Sequence, residues 1–94
     1  MPKFRKKPII IEAVRAVDYW ERPLSEMPRW LQEAHERGDI CVHQNGPPFA
    51  PFVMINTLNG LMPATIDEWI LKGVAGELYP CKPEIFEATY EAME

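Results

Sequence analysis

Long apolar runs are missing from this 94-residue chain. None approaches the roughly 18 residues that a bilayer-spanning helix needs. The charged start, Lys3 to Lys7, is followed by an apolar stretch from Pro8 to Ile11 that stops at Glu12, too short for the core of a secretory signal. The chain is therefore expected in the cytoplasm. Cysteine is scarce: Cys41 and Cys81 are the only two, too few for a disulfide framework, and cytoplasmic thiols stay reduced. No phosphate-cradling loop, Gly-rich dinucleotide fingerprint or Ser-centred nucleophile motif occurs, and no cofactor is expected. Repeats, low-complexity tracts and linkers are absent too, which leaves one domain over residues 1–94 with a basic N-terminal arm, residues 1–7.

What is present is an apolar share of 47%, enough for a core. A domain this small hides only about 60–65% of its unfolded surface, so self-association would help it, and a homo-oligomer is expected. The net charge of −4 conceals an asymmetry. Lys3, Arg5, Lys6 and Lys7 crowd the start, and the remaining residues hold 6 bases against 14 acids. An acidic body repels a nucleic-acid backbone, while the arm alone could touch phosphates.

The spacing of apolar residues predicts the elements. Pro8 to Val17 is β-branched and reads as a strand with proline at its first position. Ser25 is a candidate N-cap for a helix over about residues 26–37, in which Met27, Trp30, Leu31 and Ala34 form one stripe and Gly38 supplies the stop. Asp39 to Gln44 reads as a short strand, followed by a turn at Asn45-Gly46-Pro47-Pro48. Phe52 to Leu58 and Leu61 to Thr65 flank Asn59-Gly60, the pair favoured in a type I′ hairpin turn with positive φ at both positions. After a turn at Ile66-Asp67-Glu68, Trp69 to Gly73 and Glu77 to Tyr79 form a further hairpin. Pro83 opens one helical turn, Ile85 and Phe86 plug the core, and Ala88 to Ala92 closes as an edge strand. The sum is an α+β domain: a curled antiparallel sheet of about five to six short strands with one packed helix.

Four side chains invite a chemical reading. Cys41 and His43 sit two apart on a strand and so share a face; with Cys81 they could hold a metal or act as a small Cys/His-dependent enzyme. The usual Cys-x2-Cys or His-x3-His spacing of structural zinc sites does not occur, and a buried thiol beside a surface histidine explains the pair equally well. Lys82 beside Cys81 could lower that thiol's pKa, whereas Pro80 and Pro83 around it argue for a held bend. Hydrolase chemistry would need two carboxylates converging within about 5–10 Å, and turn chemistry accounts for Asp67 by itself. Large rings stand out more. Trp69, Tyr79, Lys72, Lys82 and Glu77 could form the lip of a small anionic pocket, or a dimer face, if their two strands pair.

Two blocks also carry a resemblance. Lys3-Phe4-Arg5-Lys6-Lys7-Pro8 with Ile11-Glu12-Ala13 resembles the start of a family of small bacteriophage and prophage proteins. Trp69 to Val74, Gly76-Glu77, Tyr79 to Pro83 and Ile85 to Tyr90 are similar to its C-terminal signature. The likeness covers about the first 14 and last 35 residues; the middle resembles nothing placed. It departs at Asp67, where the family pattern tends to have glycine, which implies a turn with an aspartate held left-handed. It implies a setting, an accessory phage protein in a bacterial host, and carries no catalytic residues across. Together these readings favour a non-enzymatic binding protein that takes a host or phage protein or a small nucleotide-like anionic ligand. The alternatives are the Cys/His enzyme or metal domain, and a weak nucleic-acid binder using the arm.

Overall fold

The computed structural model describes residues 1–5, 9–44 and 51–93. Its order is β1 (Glu12–Arg15), α1 (Ala16–Glu21), a 3-10 turn (Leu24–Glu26), α2 (Arg29–Arg37), β2 (Ile40–His43), β3 (Phe52–Thr57), β4 (Gly60–Thr65), β5 (Trp69–Lys72), β6 (Leu78–Cys81) and α3 (Pro83–Thr89). The expected α+β architecture of six short antiparallel strands is present. The strands divide into two sheets of three, ordered β1-β5-β6 and β2-β3-β4, and β6 runs beside β3 and β4. The first sheet joins the two ends of the chain, because Glu12 pairs with Lys72 and Arg15 with Trp69.

Between the sheets lies the core: Ala16, Tyr19, Met27, Leu31, Ala34, Ile40, Val53, Ile55, Ala64, Ile70 and Leu78. Leu31 and Ala34 come from the predicted helical stripe, with Met27 and Trp30 packed beside them. The helix itself starts later than the sequence suggested. Pro28 occupies the cap position, its carbonyl accepting from Leu31 and Gln32 N–H at 3.0 and 3.1 Å, and Ser25 falls in the 3-10 turn without capping anything. Gln32 Nε2 donates to the Met27 carbonyl at 2.7 Å and ties that entry down. At the other end Gly38 takes φ +80°, and the Gly38 and Asp39 N–H groups donate to His35 and Ala34 carbonyls at 3.1 and 2.9 Å. That is a Schellman stop. Asp39 then accepts from Arg37 Nε at 2.8 Å and Asn56 Nδ2 at 3.2 Å; these bonds hold its carboxyl below the usual range and fasten the helix end to β3.

Other expectations give way to tertiary contacts. The first strand pairs only over Glu12–Arg15, since its partner β5 stops at Lys72; Pro8 lies outside the described residues. Where it was to continue, the chain turns into α1. Its opening N–H groups, Ala16 and Val17, donate to the Glu68 and Ile66 carbonyls at 2.9 and 3.1 Å. Those partners stand about fifty residues away, which is why local sequence does not announce this helix. Pro23 ends it by forcing Arg22 into extended backbone, φ −93°, ψ 154°.

Turn details differ as well. In the β3–β4 hairpin Thr57 pairs with Gly60, and Gly60 alone has positive φ (+100°), so Asn59 is not left-handed as a type I′ turn would require. Asp67 is likewise not left-handed, and its turn closes through Glu68 N–H to the Thr65 carbonyl at 3.0 Å. Asn45-Gly46-Pro47-Pro48 falls outside the described residues. The closing edge strand at 88–92 is absent. α3 runs two turns to Thr89 in place of the single turn expected, and Ile85 faces solvent while Phe86 is the ring that packs.

Ile70, fully buried on the face of β5 that meets the core, should be the most costly small truncation in the sheet. Ile70→Ala is expected to lower unfolding free energy by about 2–5 kcal/mol in urea titrations. Exposed Ile85→Ala should change it by less than about 0.5 kcal/mol.

Candidate functional site

The sheet β1-β5-β6 has two covered faces. Paired residues share a side, so Val14, Ile70, Lys72 and Leu78 lie on one, and Ala13, Arg15, Leu71, Trp69, Tyr79 and Cys81 lie on the other. The first meets the main core. On the second, Leu71 is fully buried, and α3 packs there through a run of rings. Phe86 stacks on Trp69 with centroids 4.1 Å apart and planes 13° from parallel, and Tyr90 follows Phe86 at 5.3 Å. A hydrogen bond between Tyr90 and Tyr79 closes the run; burial first, and then this bond, pushes the Tyr79 phenol up to about 12. The Arg15 guanidinium lies over Trp69 from β1, 5.4 Å from the ring centroid.

These positions sort the five candidate ligand residues. Trp69 and Tyr79 share the α3-covered face. Lys72 is on the opposite face and reaches Glu12 at 3.8 Å. Lys82 caps α3 with its backbone carbonyl, which accepts from Phe86 N–H at 2.9 Å, and its side chain is not among the ring contacts described. Glu77 turns back on its own loop, where it accepts from Ala75 N–H at 3.0 Å. That carboxylate lies over Gly73, where any Cβ would overlap it, so the glycine serves a close approach. A lip formed by all five residues is not assembled.

Cys41 and His43 share the solvent face of β2, while Cys81 stands on β6 in the other sheet. His43 stacks on Phe52, centroids 5.2 Å apart, and His35 Nδ1 is 2.7 Å from the Tyr19 hydroxyl. Among the described residues no cluster of three or more His, Cys, Asp or Glu side chains could hold a metal ion. Burial raises the Cys81 thiol pKa, helped by Glu68 and Glu84, and its Sγ lies 3.7 Å from the Lys82 carbonyl. The thiol is thus held protonated, the reverse of the activation that the neighbouring lysine suggested.

A concavity forms elsewhere. A groove of about 320 Å3 is lined by Ala13, Val14 and Arg15 of β1, Asp18 of α1, Arg22 at the C-cap of that helix, Glu26, Met27, Pro28 and Trp69. That volume is at the small end for ligand sites, about 300–1,000 Å3. α1 and the 3-10 turn bring one wall to the edge of β1. Arg22 is tied to Asp18 at 3.4 Å, whereas Arg15 and Glu26 have no ion pair among the described residues. Phe86 and Arg15 already engage the indole, so Trp69 positions the guanidinium more than it offers a bare platform to a ligand ring. Sequence reasoning found Trp69 and missed the rest, because Asp18 and Arg22 ride on a helix capped from far along the chain.

Comparisons of the chain with known protein families, with curated proteins and with solved structures found no match. Among the described residues no helix is long and apolar enough to cross a membrane.

Thiol chemistry should follow these environments. With a disulfide reagent at mildly alkaline pH, exposed Cys41 should react first and Cys81 at least about tenfold more slowly, and Cys41→Ser should remove the fast phase. Burial also raises Tyr19 to about 12 from 10.0, a value Tyr79 shares. The neutral phenols are favoured in the folded state. Their stabilisation is therefore complete below pH 10.0 and is lost as pH rises toward about 12. Melting temperature measured across that window should fall, and less steeply in a Tyr19→Phe variant.

Proposed function

We propose that this chain is a non-enzymatic accessory binding protein of the bacteriophage kind that its two terminal blocks resemble, working in the cytoplasm of a bacterial host. Its groove beside β1 holds a partner through an acidic group seated on Arg15. One observation carries the reading: a guanidinium with no carboxylate partner among the described residues lies over an indole and lines a groove that Met27 and Pro28 also line. A cation packed on a ring has lost mobility and part of its hydration, so an anion meeting it recovers more than it would from a free surface arginine.

The same groove argues for a protein partner over a nucleotide. Trp69 is stacked by Phe86, which leaves a base little ring to lie on. Arg15 and Arg22 are balanced by Asp18 and Glu26, so a polyphosphate or nucleic-acid backbone gains no net attraction there. A protein segment with one acidic side chain meets no such repulsion.

Selection of random peptides displayed on yeast against the purified protein tests this. Enriched peptides should carry Asp or Glu, and Arg15→Glu should weaken them at least about tenfold, equal to about 1.4 kcal/mol. Lys72→Ala and Lys82→Ala should leave binding unchanged. Enriched peptides indifferent to Arg15→Glu, or a selection that enriches nothing, would defeat the reading.

A further inference from the structure

A three-stranded sheet has two unpaired edges, so this fold presents four: β1 and β6 in one sheet, β2 and β4 in the other. They are not equivalent. β6 contains Pro80 and β4 contains Pro63, and a proline in an edge strand removes an outward N–H that an added strand would need. β6 is further screened by its contacts with β3 and β4. That leaves β1 and β2 as proline-free edges. β1 has the described groove beside it, and three consecutive β1 residues, Ala13, Val14 and Arg15, line that groove. Consecutive residues of a strand point their side chains to opposite faces, so all three can border one groove only where it runs along the backbone edge itself.

At this edge the Arg15 carbonyl serves α1 as its N-cap, and the backbone before it is unused. Among the described residues, Glu12 to Val14 make no backbone hydrogen bond to any neighbour but β5. In an antiparallel edge strand every second residue aims its N–H and C=O outward, so these groups are open to a further chain. The surroundings match a polypeptide better than a small molecule. A guanidinium (Arg15) and a carboxylate (Glu26), neither with an ion pair among the described residues, border the groove, and Met27 and Pro28 add apolar surface.

We propose that β1 is a docking edge for strand addition: an extended segment of a partner protein, carrying mixed charge, hydrogen-bonds along Glu12–Arg15 as a fourth strand. An acidic side chain of that segment meets Arg15 and a basic one meets Glu26. This rests on the groove reading above and specifies its partner. Four residues of strand span roughly 13 Å, so a segment of four to six residues suffices. Main-chain bonds supply sequence-tolerant affinity, and the charge pair sets which segments fit and in which register. A second copy of this chain is the weaker occupant, since the segment that continues β1 upstream is the basic arm, which Arg15 repels.

The test is an NMR titration of the isotope-labelled protein with the capped peptide Thr-Val-Glu-Val-Lys-Val, alongside the same peptide methylated on alternate backbone nitrogens. The unmodified peptide should shift the Glu12 to Arg15 amides and the Trp69 indole N–H in a saturable way, and slow exchange of the β1 amides with solvent. Methylation should weaken it at least about tenfold, and Arg15→Glu should do the same. If both peptides shift the groove equally, side chains alone are bound; strand addition is then wrong while the groove reading stands. If neither produces a shift in the groove at millimolar peptide, both fail. Shifts confined to β2, or β1 shifts that depend on protein concentration without peptide, would assign the edge to another partner and overturn the proposal.

Discussion

Pairing of β1 with β5 is the constraint from which the remaining structure follows. Four residues near the start of the chain, Glu12–Arg15, take their register from Trp69–Lys72. That single ladder places Val14 and Ile70 together on the core face and Arg15 beside Trp69 on the other. Shifting it by one residue would exchange the faces, putting Trp69 into the core and Ile70 under α3. It also delivers the 66–68 turn to the start of α1, where the Glu68 and Ile66 carbonyls receive the first two N–H groups of the helix. α1 in turn carries Tyr19 into the core and Asp18 and Arg22 to the groove.

Legibility in the sequence tracked how local each cause was. The α2 stripe, its glycine stop and the positions of β2 to β6 rest on periodicity, turn residues and a left-handed glycine within a few neighbours, and each was readable. α1 was not, since Ala16 to Glu21 has no cap of its own, and its β-branched and aromatic residues suggest extended chain until the distant carbonyls are supplied. The end of the chain misled for a related reason. Thr89-Tyr90 has strand character, yet Phe86 finds Trp69 only if the segment before it is helical, and stacking at 4.1 Å outweighs weak local preference. At the site, strand alternation correctly put Trp69 with Leu71 and Tyr79 with Cys81. The cationic partner of that face proved to be Arg15, which comes from a strand whose neighbour no local pattern identifies.

The N-terminal segment that ends in β1 and the C-terminal segment Trp69 to Tyr90 lie at opposite ends of the sequence, and the fold makes them one object. β1 comes from the first; β5, β6 and α3 come from the second; together they are one sheet and the helix that covers it. The unplaced middle supplies the other sheet and α2. An insertion or replacement in that middle would leave the first sheet's register untouched, provided its two ends still met and something apolar covered Ile70 and Leu78.

That division also sets the order in which the protein can assemble on a ribosome. β1 is made before its partner, which lies more than fifty residues downstream. At about 5–20 residues per second the wait is on the order of 3–10 s, and a further stretch of nascent chain must clear the exit tunnel. Throughout that interval Ile9, Ile10 and Ile11 travel with β1 as an unmatched β-branched strand. The charges flanking it, Lys6 and Lys7 before and Glu12 after, then act as gatekeepers that discourage pairing between neighbouring nascent chains. By this argument the charges around β1 matter most while the strand still waits for its partner.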